Sequence, residues 1–104
     1  MNNIVNGNGE LSGLPGGTIP TEIGLLDGVL TVSLQDQNLF GTIPTEVGQL
    51  TNLEHLILYY NQLTGTLPTE LGLLTKLSSL DFDGNQLTGS IPTEYGLLTN
   101  LETL

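Results

Sequence analysis

The chain has 104 residues, enough for one small domain, and it contains no cysteine. Eleven acidic residues stand against one basic residue, Lys76, for a formal net charge of -10. This balance excludes ordinary nucleic-acid binding and docking on an anionic membrane surface, because both need clusters of Lys and Arg. The missing cysteines exclude a disulfide framework and a thiolate metal site. No apolar run approaches the length of a membrane span, so we expect no membrane insertion by this segment.

An internal repeat organises the chain. Prolines recur at intervals of 24 residues, and residues 41–64 and 65–88 are identical at 14 of 24 positions. A period of about 20 to 29 residues with dense leucine is typical of leucine-rich repeats. In chain order we predict a degenerate first repeat or partial cap over 1–16, repeats over 17–40, 41–64 and 65–88, and a partial repeat over 89–104.

Each repeat begins with a segment that cannot form a long helix. Pro68 blocks an interior hydrogen bond and Gly72 weakens any helix, so we predict a short extended piece and one 3₁₀-like turn. A strand follows, because Leu56, Ile57 and Leu58 show a period of two with one face buried.

Three amides mark the turn that leaves each strand. Asn61 and Asn85 follow the apolar stripe at the same interval, and Gln37 occupies the equivalent position. An Asn side chain there can bond the backbone of its own turn and that of the next coil, since an amide both donates and accepts. We therefore expect a structural ladder of Asn61, Asn85 and Gln37, slightly distorted at the longer Gln37.

One run of residues resembles the plant-specific class of leucine-rich repeat, namely Leu63-Thr64-Gly65-Thr66-Leu67-Pro68-x-x-Leu71-Gly72-x-Leu74-x-x-Leu77. That class occurs in receptor-like kinase ectodomains, receptor-like proteins and polygalacturonase-inhibiting proteins, and the Pro-Thr-Glu version is similar to repeats common in algal proteins. The resemblance implies an α/β solenoid: a right-handed superhelix with a parallel concave β-sheet and short strands and 3₁₀ turns on the convex side. It also favours an extracellular or cell-surface location.

The chain departs from this class in three ways. The cysteine-paired cap is missing, no kinase or transmembrane part is present, and Tyr95 replaces the smaller Ile23, Val47 and Leu71. The sequence also stops as a further strand would begin, so we expect a fragment of a longer protein. Its motifs are specific for the fold and poorly specific for the ligand.

The outward strand positions form the candidate partner-binding face, namely His55, Ile57, Tyr59, Tyr60, Asp36, Asp81 and Asp83. Tyr side chains are rigid, amphipathic and common among binding hot spots. Beside acidic residues they would suit a basic peptide or a carbohydrate. A plain solvated strand face is the alternative interpretation.

Catalysis and metal binding find little support. No Ser or carboxylate is forced by spacing to pair with His55, the single histidine. Asp36, Asp81 and Asp83 are too few for calcium, which prefers about six to eight oxygens. We therefore predict no enzyme activity, no metal and no cofactor.

Three polar ladders complete the pattern. Glu22, Glu46, Glu70 and Glu94 recur at one position, where we expect them to keep the solenoid soluble. Thr residues recur at two others, namely Thr18, Thr42, Thr66 with Ser90, and Thr21, Thr45, Thr69 with Thr93. Thr arrays can order water, but a simpler expectation is that Thr after Pro caps the turn and Thr before Ile favours a strand. We predict a non-catalytic module that binds a polypeptide or carbohydrate; the alternative is a structural or ice-binding solenoid.

Overall fold

The computed structural model describes residues 5–14 and 17–102, where short strands alternate with 3₁₀ helices. The strands are β1 (Glu10–Leu11), β2 (Thr31–Ser33), β3 (Phe40–Thr42), β4 (His55–Ile57), β5 (Gln62–Thr64) and β6 (Ser79–Asp81). The 3₁₀ helices are η1 (Thr21–Leu25), η2 (Thr45–Gln49), η3 (Thr69–Leu73) and η4 (Thr93–Leu97). In the described ranges, no helix has the length and apolar character needed to cross a membrane.

Four strands form a parallel sheet in the order β1-β2-β4-β6, here called the main sheet. Thr31 is opposite Glu10 on one side and His55 on the other, and His55 is opposite Ser79. The strands are parallel because the chain makes one complete coil between one strand and the next and so enters each strand from the same end. The predicted parallel strands and 3₁₀ turns are confirmed.

A second parallel sheet, here called the side sheet, joins β3 and β5. Its register places Thr42 opposite Thr64, and an isolated bridge pairs Thr66 with Thr88. Thr42 is therefore paired with Thr64 and not with Thr66, its equivalent in the Thr ladder of the sequence. The pairing is offset because the Gln62 N–H donates to the Leu39 carbonyl at 2.7 Å, which brings residues 22 apart into register.

Each 3₁₀ helix starts directly after a proline. Pro68 has φ -66° and ψ 136°, so the chain enters η3 from an extended conformation. No side-chain hydrogen bond caps this helix, because Pro68 itself occupies the cap position. The Thr69 hydroxyl instead donates to Glu70 Oε1 at 3.3 Å. The expectation that Thr after Pro caps the turn is wrong.

Glycines allow neighbouring 3₁₀ helices to meet backbone to backbone. A Cβ atom on Gly48 would lie 2.6 Å from the Glu70 carbonyl oxygen, and one on Gly72 would lie 2.8 Å from that of Glu94. Since real Cβ atoms do not approach so closely, these positions require glycine for packing.

The core is a stack of leucine layers between the sheets and the 3₁₀ helices. Leu53, Leu63, Leu71 and Leu74 have no measurable exposure. Burial of one such side chain is worth about 1.5 to 3 kcal/mol, so these layers are the main stabilising contribution. Tyr95 joins the core at 6% exposure.

The larger ring of Tyr95 is accommodated by a hydrogen bond. Its hydroxyl donates to the Pro68 carbonyl oxygen at 2.8 Å. Burial, and to a smaller extent the charge of Glu70, raises the pKa of Tyr95 above its ordinary value. The phenol therefore remains a neutral donor.

Candidate binding site

The Asn61 side chain holds the turn that follows β4. Its Oδ1 accepts the N–H groups of Gln37 and Leu39, each at 3.0 Å. Its Nδ2 donates to the carbonyls of Leu34 at 2.9 Å and Leu58 at 3.0 Å. The partner coil is the preceding one rather than the expected next one, because the N–H groups that face this amide belong to Gln37 and Leu39.

The other two amides behave differently from each other. Asn85 repeats the pattern: its Nδ2 donates to the Leu58 and Phe82 carbonyls at 3.0 and 2.9 Å. Gln37, one methylene longer, donates to the Ser12 carbonyl at 2.9 Å. All three amides thus join adjacent coils.

The residue before each of these amides has a left-handed backbone. Asp36 has φ 58°, Tyr60 has φ 59° and Gly84 has φ 70°. This conformation is unusual for a large side chain and costs about 1 to 2 kcal/mol. At the equivalent position of the next coil, a Cβ on Gly84 would clash with Tyr60 Cδ1, so the Tyr60 ring packs directly against the Gly84 backbone.

Four predicted residues come together in one recess. Tyr59, Tyr60, Asp81 and Asp83 line an open depression of about 450 Å³. The two rings meet edge to face with centroids 5.1 Å apart, and Tyr60 is 63% exposed. The Asp83 N–H donates to Asp81 Oδ1 at 3.2 Å, which orients that carboxylate. Here an aromatic surface lies next to two negative charges.

The remaining predicted residues lie outside this recess. His55 Nδ1 lies 3.1 Å from Ser79 Oγ, a contact that spacing alone did not reveal. Ile57 is half-buried and opposite Asp81 in the sheet. Asp36 is exposed in the preceding coil, and its N–H donates to the Tyr59 carbonyl at 3.0 Å.

No Lys or Arg side chain balances the negative charge of Asp81 and Asp83 in the recess. Lys76, the only Lys or Arg, donates to Asn52 Oδ1 at 3.0 Å instead. Within 5–14 and 17–102, no three His, Asp or Glu side chains form a group that could hold a metal ion.

One set of exposed apolar residues was not identified from the sequence. Leu25, Leu73 and Leu97 end three of the 3₁₀ helices with their side chains largely in solvent. The signal was the polar Gln49 at the same position in η2, because a polar residue in an otherwise apolar column marks an exposed site.

Known proteins share this architecture. Residues 52–74 and 76–98 match the family model of the leucine-rich repeat. The ectodomain of the plant membrane receptor kinase GASSHO1/SCHENGEN3 from Arabidopsis thaliana, solved with CASPARIAN STRIP INTEGRITY FACTOR 2, is 38% identical with a TM-score of 0.81. That match covers 84% of this chain and 10% of the ectodomain. No curated protein matches the chain significantly.

Two further structures are similar. PEPR1, solved with AtPEP1, is 33% identical with a TM-score of 0.83, over 85% of this chain and 12% of that one. A plant ice-binding protein is 37% identical with a TM-score of 0.79, over 90% of this chain and 29% of that one. This chain contains leucine-rich repeats that resemble the plant type, and it spans a small part of each of these similar proteins.

Proposed function

We propose that the chain is a non-catalytic binding module that captures a polypeptide through the face of the main sheet. The recess of Tyr59, Tyr60, Asp81 and Asp83 is the centre of this site, and it takes a cationic side chain of the partner. The observation that carries the proposal is the exposed edge-to-face Tyr pair beside two carboxylates.

The chemistry of the recess favours Lys or Arg. A cation over an aromatic face gains about 0.5 to 1 kcal/mol when exposed and more when desolvated. Charge-assisted hydrogen bonds to Asp81 or Asp83 add direction, since carboxylates accept two parallel N–H groups from a guanidinium. The overall charge of -10 attracts such a partner over longer distances.

Two relatives support a polypeptide as the partner class. The GASSHO1/SCHENGEN3 ectodomain was solved with CASPARIAN STRIP INTEGRITY FACTOR 2, and PEPR1 with AtPEP1. A carbohydrate is the other ligand that aromatic and carboxylate groups suit. We take the main sheet as the concave face of a right-handed superhelix with 24-residue coils at 17–40, 41–64, 65–88 and 89–104, after a degenerate first coil or partial cap in 1–16.

The test selects random 12-residue peptides against the purified chain and measures their affinity. We expect the selected peptides to be rich in Lys and Arg. Tyr59→Ala with Tyr60→Ala should weaken them by about 2 kcal/mol or more, because truncated hot-spot rings lose both packing and desolvation. Asp81→Asn with Asp83→Asn should remove the preference for basic peptides. Selected peptides without basic residues, held equally by both double variants, would contradict the proposal.

Ice binding is the second candidate, and the side sheet together with the similar plant ice-binding protein favours it. Thr42 and Thr64 are exposed on the side sheet, and Thr66 and Thr88 are exposed at the isolated bridge that follows it. Phe40 is 54% exposed on the same sheet and opposite Gln62, so the Thr array is interrupted. For this reason we rank ice binding below polypeptide binding.

Thermal hysteresis distinguishes the two candidates. Replacing Thr42 and Thr66 with Lys places flexible charged chains on the side sheet and should change stability by less than about 0.5 kcal/mol at exposed positions. We expect no hysteresis before or after this change. A freezing-point gap in the parent protein that disappears in the Thr42→Lys, Thr66→Lys variant would reverse the ranking.

A further inference from the structure

Three exposed leucines recur at one position of the 3₁₀ helices. Leu25 is 73% exposed, and Leu73 and Leu97 are each 61% exposed. Gln49 occupies the same position of η2, and we call these four residues the Leu rib. Single exposed leucines are ordinary on protein surfaces, but a column that repeats along the coils makes an apolar strip, here interrupted once at Gln49.

A row of carboxylates accompanies this strip. We call Glu22, Glu46, Glu70 and Glu94 the Glu rib. Side chains three residues apart eclipse in a 3₁₀ helix, so each Glu lies next to the Leu rib residue of its own helix, as Glu22 does next to Leu25. The Thr21 hydroxyl donates to Glu22 Oε1 at 3.1 Å, and Thr45 and Thr69 contact their neighbouring Glu residues in the same way.

The ribs have a spacing that matches an α-helix. The close glycine contacts between successive 3₁₀ helices keep them at about the separation of neighbouring strands, roughly 4.8 Å. One turn of an α-helix rises about 5.4 Å, so a helix lying along the ribs meets one coil with each turn. Four coils span about 14 Å, the length of roughly ten helical residues.

We propose that the two ribs dock a cationic amphipathic α-helix of a protein partner, at a surface separate from the recess. The apolar residues of that helix, at positions i, i+3 or i+4, and i+7, pack on the Leu rib. Its Lys or Arg residues face the Glu rib. The occupant is identified by charge complementarity, because four carboxylates flank the apolar strip in a chain with a net charge of -10.

The probe is an 18-residue peptide of Leu and Lys with helical amphipathic spacing. Its affinity is measured by calorimetry and its helicity by circular dichroism. We expect binding with a gain of helix, at least tenfold tighter than a scrambled peptide of the same composition. A peptide of the same pattern with Glu in place of every Lys should not bind. Equal binding of the scrambled or the Glu peptide would overturn the proposal.

Variants of the chain locate the surface. Leu73→Gln with Leu97→Gln copies the residue found at Gln49 and should weaken the probe at least tenfold. Gln49→Leu completes the rib and should strengthen binding about threefold or more. Unchanged affinity in the double variant would refute the Leu rib as the docking site.

Two matched controls accompany these variants. Phe40→Gln with Ile91→Gln removes apolar groups that are 54% and 50% exposed elsewhere and should leave the affinity unchanged. Tyr59→Ala with Tyr60→Ala should also leave it unchanged, which separates this surface from the recess. A loss of probe binding in the Tyr variant alone would place the helix at the recess and overturn the proposal. Each variant is checked by its thermal melt.

Discussion

The turns that follow β4 and β6 carry the same residue at the same position, yet in different surroundings. Asn61 is 7% exposed and makes five hydrogen bonds, whereas Asn85 is half-buried and makes four. The neighbouring core residue Leu58 is 1% exposed, and its counterpart Phe82 is half-buried. The comparison shows that the stability an Asn of the ladder contributes depends more on how well adjacent coils cover it than on its residue type.

Removing each amide in turn tests this comparison and gives the largest expected effect. Asn61→Ala should lower the free energy of unfolding by about 3 kcal/mol, because the buried N–H of Leu39 and the half-buried N–H of Gln37 lose their acceptor. Asn85→Ala should cost about 1 to 2 kcal/mol, because water can reach its partners. Urea denaturation of the two variants measures the difference. Equal losses of stability in the two variants would show that coverage by adjacent coils does not matter. An unchanged urea midpoint for Asn61→Ala would show that the amide does not stabilise the fold.

The core could be predicted from the sequence because burial follows simple periods. The two-residue alternation at Leu56 and Leu58 and the proline before each 3₁₀ helix correspond directly to the observed elements. The sequence could not predict which neighbouring coil the Asn61 side chain bonds, the preceding one or the next one. That choice depends on which N–H groups remain free after two coils have stacked, and periodicity contains no information about that.

The candidate site was predictable only in part. Alternation along the strand placed Tyr59 and Asp81 on the outer face. The left-handed backbone of Tyr60 was hidden, since a large aromatic residue is rare in that conformation. Gly84 at the equivalent position was the available signal, because glycine often marks a positive φ. The packing of the Tyr60 ring on Gly84 needed the structure, as it joins two coils.

Tyr95 extends the comparison to the 3₁₀ side of the coil. Its counterparts Ile23, Val47 and Leu71 are at most 1% exposed and purely apolar, whereas Tyr95 is 6% exposed and donates to Pro68. We expect Tyr95→Phe to cost about 1 kcal/mol near neutral pH, because the Pro68 carbonyl loses its buried partner. Chemical denaturation at pH 7 measures this effect, which should be smaller than that of either Asn variant.

The pH dependence of the same variant distinguishes a buried phenol from an exposed one. The pKa of Tyr95 is raised in the folded state, first by burial and second by Glu70, whereas in the unfolded chain it is about 10. Above pH 10 the unfolded chain therefore releases this proton while the folded chain retains it, so stability falls as the pH rises. The parent protein should lose stability between pH 9 and 11 more steeply than Tyr95→Phe, which retains every other titrating group. Parallel pH profiles for the two proteins would show that the Tyr95 hydroxyl is accessible to water, and η4 would then cover η3 less closely than the hydrogen bond from Tyr95 to Pro68 indicates.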